Sequence, residues 1–556
     1  MKTALVTMNV KQGKCEENFV FMKERIEEAI ANDVDLIVFP QNAVSGYLLG
    51  DRWLEDAWCR YVDSFNDKLI ALSEDIAIVW GNIRYRNHRR FNSAFFAYKG
   101  KTHMRVKHNE CHPYFDDTHY FEENTINAAI EFHDMVLALN FHDELQLADL
   151  NINIDAHPYD MDEQKHYSGN VLYVNAVGMQ NCGKSVMIMQ GGSYVHLDQM
   201  CIYHAPYFKH TMDIIQLENR KPCTPYTPNV VDALVCGIQS FDEQVFGGKQ
   251  PWIIGLSGGL DSSVNAALLA YALGNERIYG FNMASKHNSS TTIQNAAQEA
   301  KALGIHYKEG SIQGLVEASK ATFMQEYGFD SEEGTTLVME NIQARARGYL
   351  LSGFAGILGG VVVNNGNKVE SMLGYCTLYG DSVGALSLIG DLTKVQLFAI
   401  SHELNKRFKK EVIPASLLPV VEGEQLTWQM APSAELRADQ FDPMKWFYHD
   451  YLCEHLGKDM DVIDIMKTYL YDDMDEELTK WVRYYHLDEP SVFLEDLDWF
   501  VSTMDKNAFK RLQTPPVLCL HKKTLANQVD AQMKYDKAMY ENMKEKIRKK
   551  EFLSRL

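Results

Sequence analysis

The 556-residue sequence lacks any apolar run approaching the roughly 18 to 20 residues a helix needs to cross a bilayer, so no membrane-spanning helix is expected. The opening MKTALVTMNV lacks the charged leader, apolar stretch and small-residue cleavage site of a secretory signal, in that order. It reads as a first strand, and the expected location is the cytoplasm. Positive charge is also short: 54 Lys and Arg face 75 Asp and Glu, for a net charge of −21. Such a chain repels polyanions, so nucleic acid is not expected as a partner. No two of the ten cysteines (15, 59, 111, 182, 201, 223, 236, 376, 453 and 519) form a C-x-x-C pair. Neither a zinc knot nor a dithiol redox motif follows, and reduced, mostly buried thiols are expected. Internal repeats and low-complexity tracts are absent.

What remains is the composition of an ordinary globular protein, 46% apolar and 23% charged, and too long for one core. Strand-like runs (ALVTMNV, LIVFP, AIVWGNI, SAFFAY, VLALNF, NVLYVNAV) alternate with amphipathic segments such as ENFVFMKERIEEAIAN. Three prolines at 222, 225 and 228, in a polar setting, mark a linker over 216–230 between a first domain, 1–215, and a second, 231–530. The second domain opens on the helix VVDALVCGIQSFDEQVF and continues as a new α/β series. A charged, exposed helix is expected over 531–556.

The most informative stretch is WIIGLSGGLDSS. A buried strand runs into Ser257-Gly258-Gly259-Leu260-Asp261-Ser262, and a helix follows. Paired glycines allow a tight turn that gathers N–H groups, the helix adds its positive end, and this combination binds phosphate. Ser257 and Ser262 add hydroxyl donors. Asp261 would repel phosphate without an intervening cation, which points to Mg²⁺. The G-K-[ST] of a Walker loop is absent, and S-G-G-x-D-S instead resembles the loop of ATP pyrophosphatases that adenylate their substrates.

Downstream come LVMENIQARARGYLL, GGVVV followed by NNGNKVESMLGYCTLYGDSVGALSLIGDLTKVQLF, then APSAELRADQ and NAFKRLQTPP. Together these resemble the synthetase half of glutamine-dependent NAD synthetases. FP-x-x-x-x-x-GY, VKHNECHPYFDDTHYF and VNAVGMQN…GGS resemble that family's nitrilase-like amidase half. The resemblance implies an α-β-β-α sandwich of nitrilase type followed by a doubly wound parallel α/β domain. It implies ATP binding by Gly255, Leu256, Ser257, Gly258, Gly259, Leu260, Asp261, Ser262, Asn365 and Lys394, with Mg²⁺ on Asp261 and Glu370. Deamido-NAD would meet Asn341, Arg345, Lys368, Glu370, Tyr375, Asp381 and Lys510. Asn365 stands where the family has a threonine, and the text after Asp442 departs from the family's acidic continuation.

The first half departs further. In the amidase domains that it resembles, a glutamate base activates a cysteine, and a lysine stabilises the oxyanion. The glutamate falls on Gln41 and the lysine on Lys107. The cysteine falls on Phe141, whose neighbours Asn140 and His142 are not cysteines either, and a substrate-contacting serine falls on His157. The expectation is a synthetase that has lost glutaminase activity, uses free ammonia and forms a homo-oligomer. The alternatives are ammonia from a separate glutaminase, relocation of the nucleophile to Cys111 or Cys182, a dinucleotide sensor without turnover, and a ligase amidating another carboxylate.

Overall fold

A computed structural model describes the chain apart from residues 125–128, 142–144, 164–168, 332–335, 423–424, 434–435, 437–441, 457, 525–534 and 555–556. The chain divides into two compact units, Met1–Val245 with Cys519–Lys522, and Phe246–Leu518 with Lys523–Leu556. The segment expected as a linker, and the helix after it as far as Val245, are counted with the first unit.

In the first unit, strands β1 (Lys2–Thr7), β2 (Leu36–Val38), β3 (Ala77–Arg86), β4 (Arg89–Tyr98) and β5 (Lys101–Val106) build one sheet. Two short pieces follow, β6 (Cys111–His112) and β7 (Phe115–Asp116). A second sheet takes β8 (Ile130–Phe132), β9 (Met135–Asn140), β10 (Leu150–Asp155) and β11 (Val171–Asn175). A hairpin, β12 (Val177–Cys182) and β13 (Ser185–Gln190), leads to β14 (Tyr194–Leu197) and β15 (Met200–His204), which complete the second sheet. Strand β16 (Thr211–Gln216) returns to pair antiparallel with β1, so each sheet has six strands.

The two sheets face each other. Leu5, Leu36, Val38, Val79 and Phe96 of the first pack in one core with Leu137, Leu139, Ile152, Ile154, Leu172 and Val174 of the second. Because strand side chains alternate, the opposite faces need other cover. Helix α1 (Cys15–Ala31) carries β1 to β2 and α2 (Asp56–Ile70) carries β2 to β3, and both crossovers leave the strands parallel. Asn66 of α2 accepts from Trp80 Nε1 on β3 at 2.9 Å, which fixes this helix on the outer face of the first sheet. On the outer face of the second sheet, Val171, Tyr173 and Tyr194 cluster with Leu145. Among the described residues, no α-helix falls between α2 and α3 (Val230–Phe246).

The second unit is doubly wound. Strands β17 (Trp252–Gly255), β18 (Ile278–Ala284), β19 (His306–Ser311), β20 (Val361–Asn364), β21 (Leu386–Ser387) and, beyond a small hairpin of β22 (Val420–Glu422) and β23 (Gln425–Thr427), β24 (Val517–Cys519) run parallel in the order β24-β21-β20-β17-β18-β19. Helices α4 (Leu260–Leu273), α5 (Ser290–Leu303), α6 (Gln313–Tyr327) and α7 (Thr336–Leu358) join the early strands, and α8 (Lys368–Leu373) and α9 (Lys394–Phe408) follow β20. A helical cluster, α10 (Tyr448–His455), α11 (Val462–Leu470), α12 (Glu476–Tyr484), α13 (Pro490–Lys506), α14 (Ala508–Arg511) and α15 (Lys537–Ser554), has its own core around Tyr448, Leu497 and Phe500. Strand β17 continues into α4 and β18 on one side and pairs with β20 on the other. Its carboxyl end is therefore the switch point where such sheets bind ligands.

Candidate active site

The loop at that switch point is held by steric necessity and by its own hydroxyls. Gly258 has φ +81°, and a Cβ there would lie 1.9 Å from the carbonyl oxygen of Thr292 on α5. Only glycine fits. Gly259 caps α4, its N–H donating to Ser257 Oγ at 3.2 Å. Ser262 Oγ lies 3.1 Å from Ser257 Oγ, accepts from the Ser257 N–H at 3.2 Å and donates to Gly259 O. Leu256 is anchored by its N–H to Phe281 O. Gly255 O accepts from Asn365 Nδ2 at 2.9 Å, and Asn365 Oδ1 accepts from Asn265 at 3.0 Å. The Asn365 amide thus stitches the ends of β17 and β20 together beneath the loop.

Four polar side chains meet at the start of α4. Asp261 pairs with the buried Lys394 at the start of α9. Asn367 donates to Asp261 Oδ1 at 3.2 Å and forms a reciprocal cap with Glu370, each backbone N–H donating to the other's side chain. Glu370 is half-buried, and its carboxyl is pushed up to about 8 by burial and by the neighbouring Asp261 charge, against the pull of Lys394. The Lys394 ammonium is raised: burial opposes the charge, but Asp261 and Glu370 outweigh it. Asp442 also faces Glu370 and Lys394, adding a third carboxylate to one lysine. Negative charge exceeds positive at this point, and a cation would relieve it.

Beyond α8 the segment 374–381 forms a second wall. Lys510 Nζ donates to Gly374 O at 2.8 Å and to Cys376 O at 2.7 Å, while Arg345 Nε donates to Leu378 O at 3.2 Å. Asn341 Oδ1 accepts from Thr377 Oγ1 at 2.8 Å, and the Thr377 N–H donates to Asp381 Oδ1 at 2.6 Å. The Cys376 thiol is pushed up to about 12 by burial and by Asp381, and it also feels Lys510 and Glu370. Tyr375 follows directly, its N–H on Glu370 O. Asn341, Arg345, Tyr375, Asp381 and Lys510 therefore converge on one segment adjoining Glu370. Lys368 does not join them. It is buried, and its Nζ lies 3.5 Å from the fully buried Asp391 Oδ1, a partner that holds α8 in place.

The first unit brings a different set together. Lys107 is buried, with Nζ 2.5 Å from Asp117 Oδ2, 2.7 Å from Glu110 Oε2 and 3.4 Å from Tyr47 Oη. The two carboxylates hold it charged despite burial. Gln41 is 1% exposed and its Nε2 is buried with no hydrogen-bond partner, while its backbone N–H donates to Asp155 O. Phe141 belongs to the apolar core between the sheets rather than to a polar pocket. Asn140 is tied to Arg105, to Gln146 and, at 2.6 Å, to Asn151, and His142 lies outside the described residues. The His157 N–H donates to Asn175 Oδ1 at 2.8 Å. Cys111 is exposed on β6 and Cys182 is half-buried at the end of β12, its thiol raised by burial and by Asp51.

The model of the NAD synthase family matches residues 239–484. The glutamine-dependent NAD(+) synthetase of Acinetobacter baylyi is 28% identical over 476 residues, covering 79% of this chain and 84% of the relative. That of Synechocystis sp. is 28% identical over 517 residues, covering 82% and 88%. Among solved structures, the glutamine-dependent NAD(+) synthetase of Cytophaga hutchinsonii superposes with a TM-score of 0.75 at 14% identity, over 98% of this chain and 99% of that one. The Acinetobacter baumannii enzyme, solved with ADP, gives 0.66 at 23% identity, over 96% and 97%. Over about four fifths of its length the chain is similar to glutamine-dependent NAD(+) synthetases.

The donor set at the loop suits a hard cation such as magnesium. Asp261 and Glu370 offer hard oxygens joined through Asn367, and among the described residues no third His, Cys, Asp or Glu completes an all-protein cage. That is the pattern of an ion which takes its other ligands from phosphate and water. Two residues were missed in the sequence. Asp442 joins the site through a segment whose text gives no spacing signal. Glu299 of α5 is fully buried behind the loop, accepting from Ser263 Oγ at 2.6 Å with its other oxygen unpartnered, and burial pushes it up to about 8.

Proposed function

We propose that this protein is an NAD synthetase that amidates deamido-NAD at the expense of ATP, drawing on free ammonia because its amidase half is inactive. The observation that carries the synthetase reading is the juxtaposition of the S-G-G-x-D-S loop, the Asp261–Asn367–Glu370 cluster and the segment gripped by Arg345 and Lys510. In this reading the loop N–H and hydroxyl groups hold the phosphates of ATP, and Asp261 and Glu370 hold Mg²⁺. When bound, that ion offsets the charge of the leaving pyrophosphate. The nicotinate carboxylate attacks the α-phosphorus and pyrophosphate leaves. Ammonia then attacks the acyl carbon and AMP leaves with the bonding pair. Asn341, Asp381 and Lys510 orient the dinucleotide, while Lys394 offsets carboxylate charge beside the phosphates.

The loss of glutaminase activity is supported by residue chemistry. An amide at Gln41 accepts no proton, and the phenyl ring at Phe141 supplies no nucleophile. The lysine that would stabilise an oxyanion is instead neutralised by Asp117 and Glu110. The test supplies ATP, Mg²⁺ and deamido-NAD with either ammonium or glutamine, and reads NAD by enzymatic cycling. Product with ammonium alone is expected. Product with glutamine would overturn the inactive-amidase reading and direct attention to Cys111 and Cys182. No product from either source would overturn the synthetase reading in favour of another carboxylate or a sensing role.

A further inference from the structure

Cys201 and Cys223 are distant in sequence and belong to no motif, yet the fold brings their sulfurs to 3.3 Å, closer than two sulfurs in ordinary contact. The backbone supports the approach: the Cys223 N–H donates to Cys201 O at 2.8 Å, so the residues face each other as neighbours on paired strands do. Cys201 lies on β15, the edge strand of the second sheet, and Cys223 lies in the proline-containing segment that follows β16. Both are half-buried, so a small thiol reagent can reach them. Ahead of Cys223 that segment is held by polar contacts, Glu218 with the N-terminal ammonium and Arg220 with Asp198.

We propose that Cys201 and Cys223 form a reversible dithiol–disulfide site that reacts with low-molecular-weight disulfides, of which glutathione disulfide is the probe. The Cys201 thiol spends its proton on Tyr203 O, 3.3 Å away, and burial and the adjoining sulfur raise it, so Cys223, which has no such carbonyl partner among the described residues, is assigned the first attack. The Cys223 thiolate attacks one sulfur of the probe, a mixed disulfide forms, and the other half leaves as a thiolate that takes up a proton. The Cys201 sulfur, already in contact, loses its proton to water and attacks Cys223 Sγ, expelling the second half as a thiol. Two cysteines are oxidised by two electrons, one disulfide is reduced to two thiols, and no other reactant is needed. The new bond closes a loop from the sheet edge across the proline-rich segment and fixes that segment to the sheet.

The test incubates the full chain with glutathione disulfide at neutral pH and measures intact mass, free thiols and disulfide-linked peptides. The expected product is lighter by about 2 Da, keeps eight of its ten thiols, yields one linked peptide pair joining Cys201 to Cys223, and reverts with dithiothreitol. Cys201→Ser is expected to stop at a glutathione adduct on Cys223, and Cys223→Ser to leave Cys201 unmodified, with unchanged far-ultraviolet circular dichroism in both. A wild-type chain that accumulates the adduct, links other cysteines or does not react overturns the proposal.

Discussion

At the residue scale, the second unit is governed by carboxylates kept close together. Asp261→Asn removes the partner of Lys394 and the charge of one of the two carboxylates proposed to hold magnesium. It is expected to lower the ammonium-dependent rate by about 100-fold or more while the circular dichroism stays unchanged. The same variant takes away one charge that raises Glu370, so any residual activity should show its acidic limb at lower pH. Glu299 gives a stability prediction. Its folded value, about 8, lies above its ordinary 4.5, so the folded state keeps a proton that the unfolded chain has lost. Stability from this group is complete below about pH 4.5 and is lost as pH rises towards 8. Glu299→Gln preserves a Ser263 partner without the charge. Its melting temperature should match that of the wild type in acid and exceed it at pH 8, as differential scanning calorimetry would show.

The strand–loop–helix geometry of residues 252–273 was legible because glycine, serine and aspartate in fixed order allow few alternatives. The partner of Lys368 was illegible for the opposite reason: Asp391 is distant in sequence, and a motif position does not reveal whether an ammonium points to solvent or into the fold. Glu299 was illegible because nothing in an amphipathic helix marks the one carboxylate that faces inward.

At the scale of elements, helix α7 is pressed against the 374–381 segment through glycine. A Cβ on Gly348 would lie 2.7 Å from the carbonyl oxygens of Tyr379 and Gly380, and one on Gly380 would crowd Ala344. Gly348→Ala must push the segment away from the helix, carrying Thr377 from Asn341 and Leu378 from Arg345. The expected outcome is a KM for deamido-NAD raised about tenfold, with the KM for ATP nearly unchanged, in steady-state assays with ammonium. Elements with strong periodicity were read closely from the sequence; the helix after the prolines spans Val230–Phe246 as expected. The hairpin turns were not. Asn87-His88, His133-Asp134 and Asp198-Gln199 all adopt positive φ without the glycine that usually marks such a turn, so strand pairing across them carried no local signal.

At the scale of the molecule, the first α/β unit takes a segment from far along the chain. The N–H of Met161 donates to Leu520 O at 2.9 Å, the Lys522 N–H to Asp160, and Lys522 Nζ lies 2.5 Å from Glu163. His521 lies 3.6 Å from Asp162. Replacing His521 and Lys522 together by alanine should speed hydrogen exchange at the Met161 amide about tenfold, while amides of β17 and β18 stay protected. These four residues, Cys519–Lys522, are counted with the unit whose main stretch ended at Val245. Synthesis from the N-terminus therefore leaves that unit short of its last segment until the stretch Phe246–Leu518 of the second unit has been made. A ribosome must translate past residue 522 before the first sandwich can close its contact set. A stop codon anywhere between residues 246 and 519 would thus release two incomplete bodies instead of one finished and one missing.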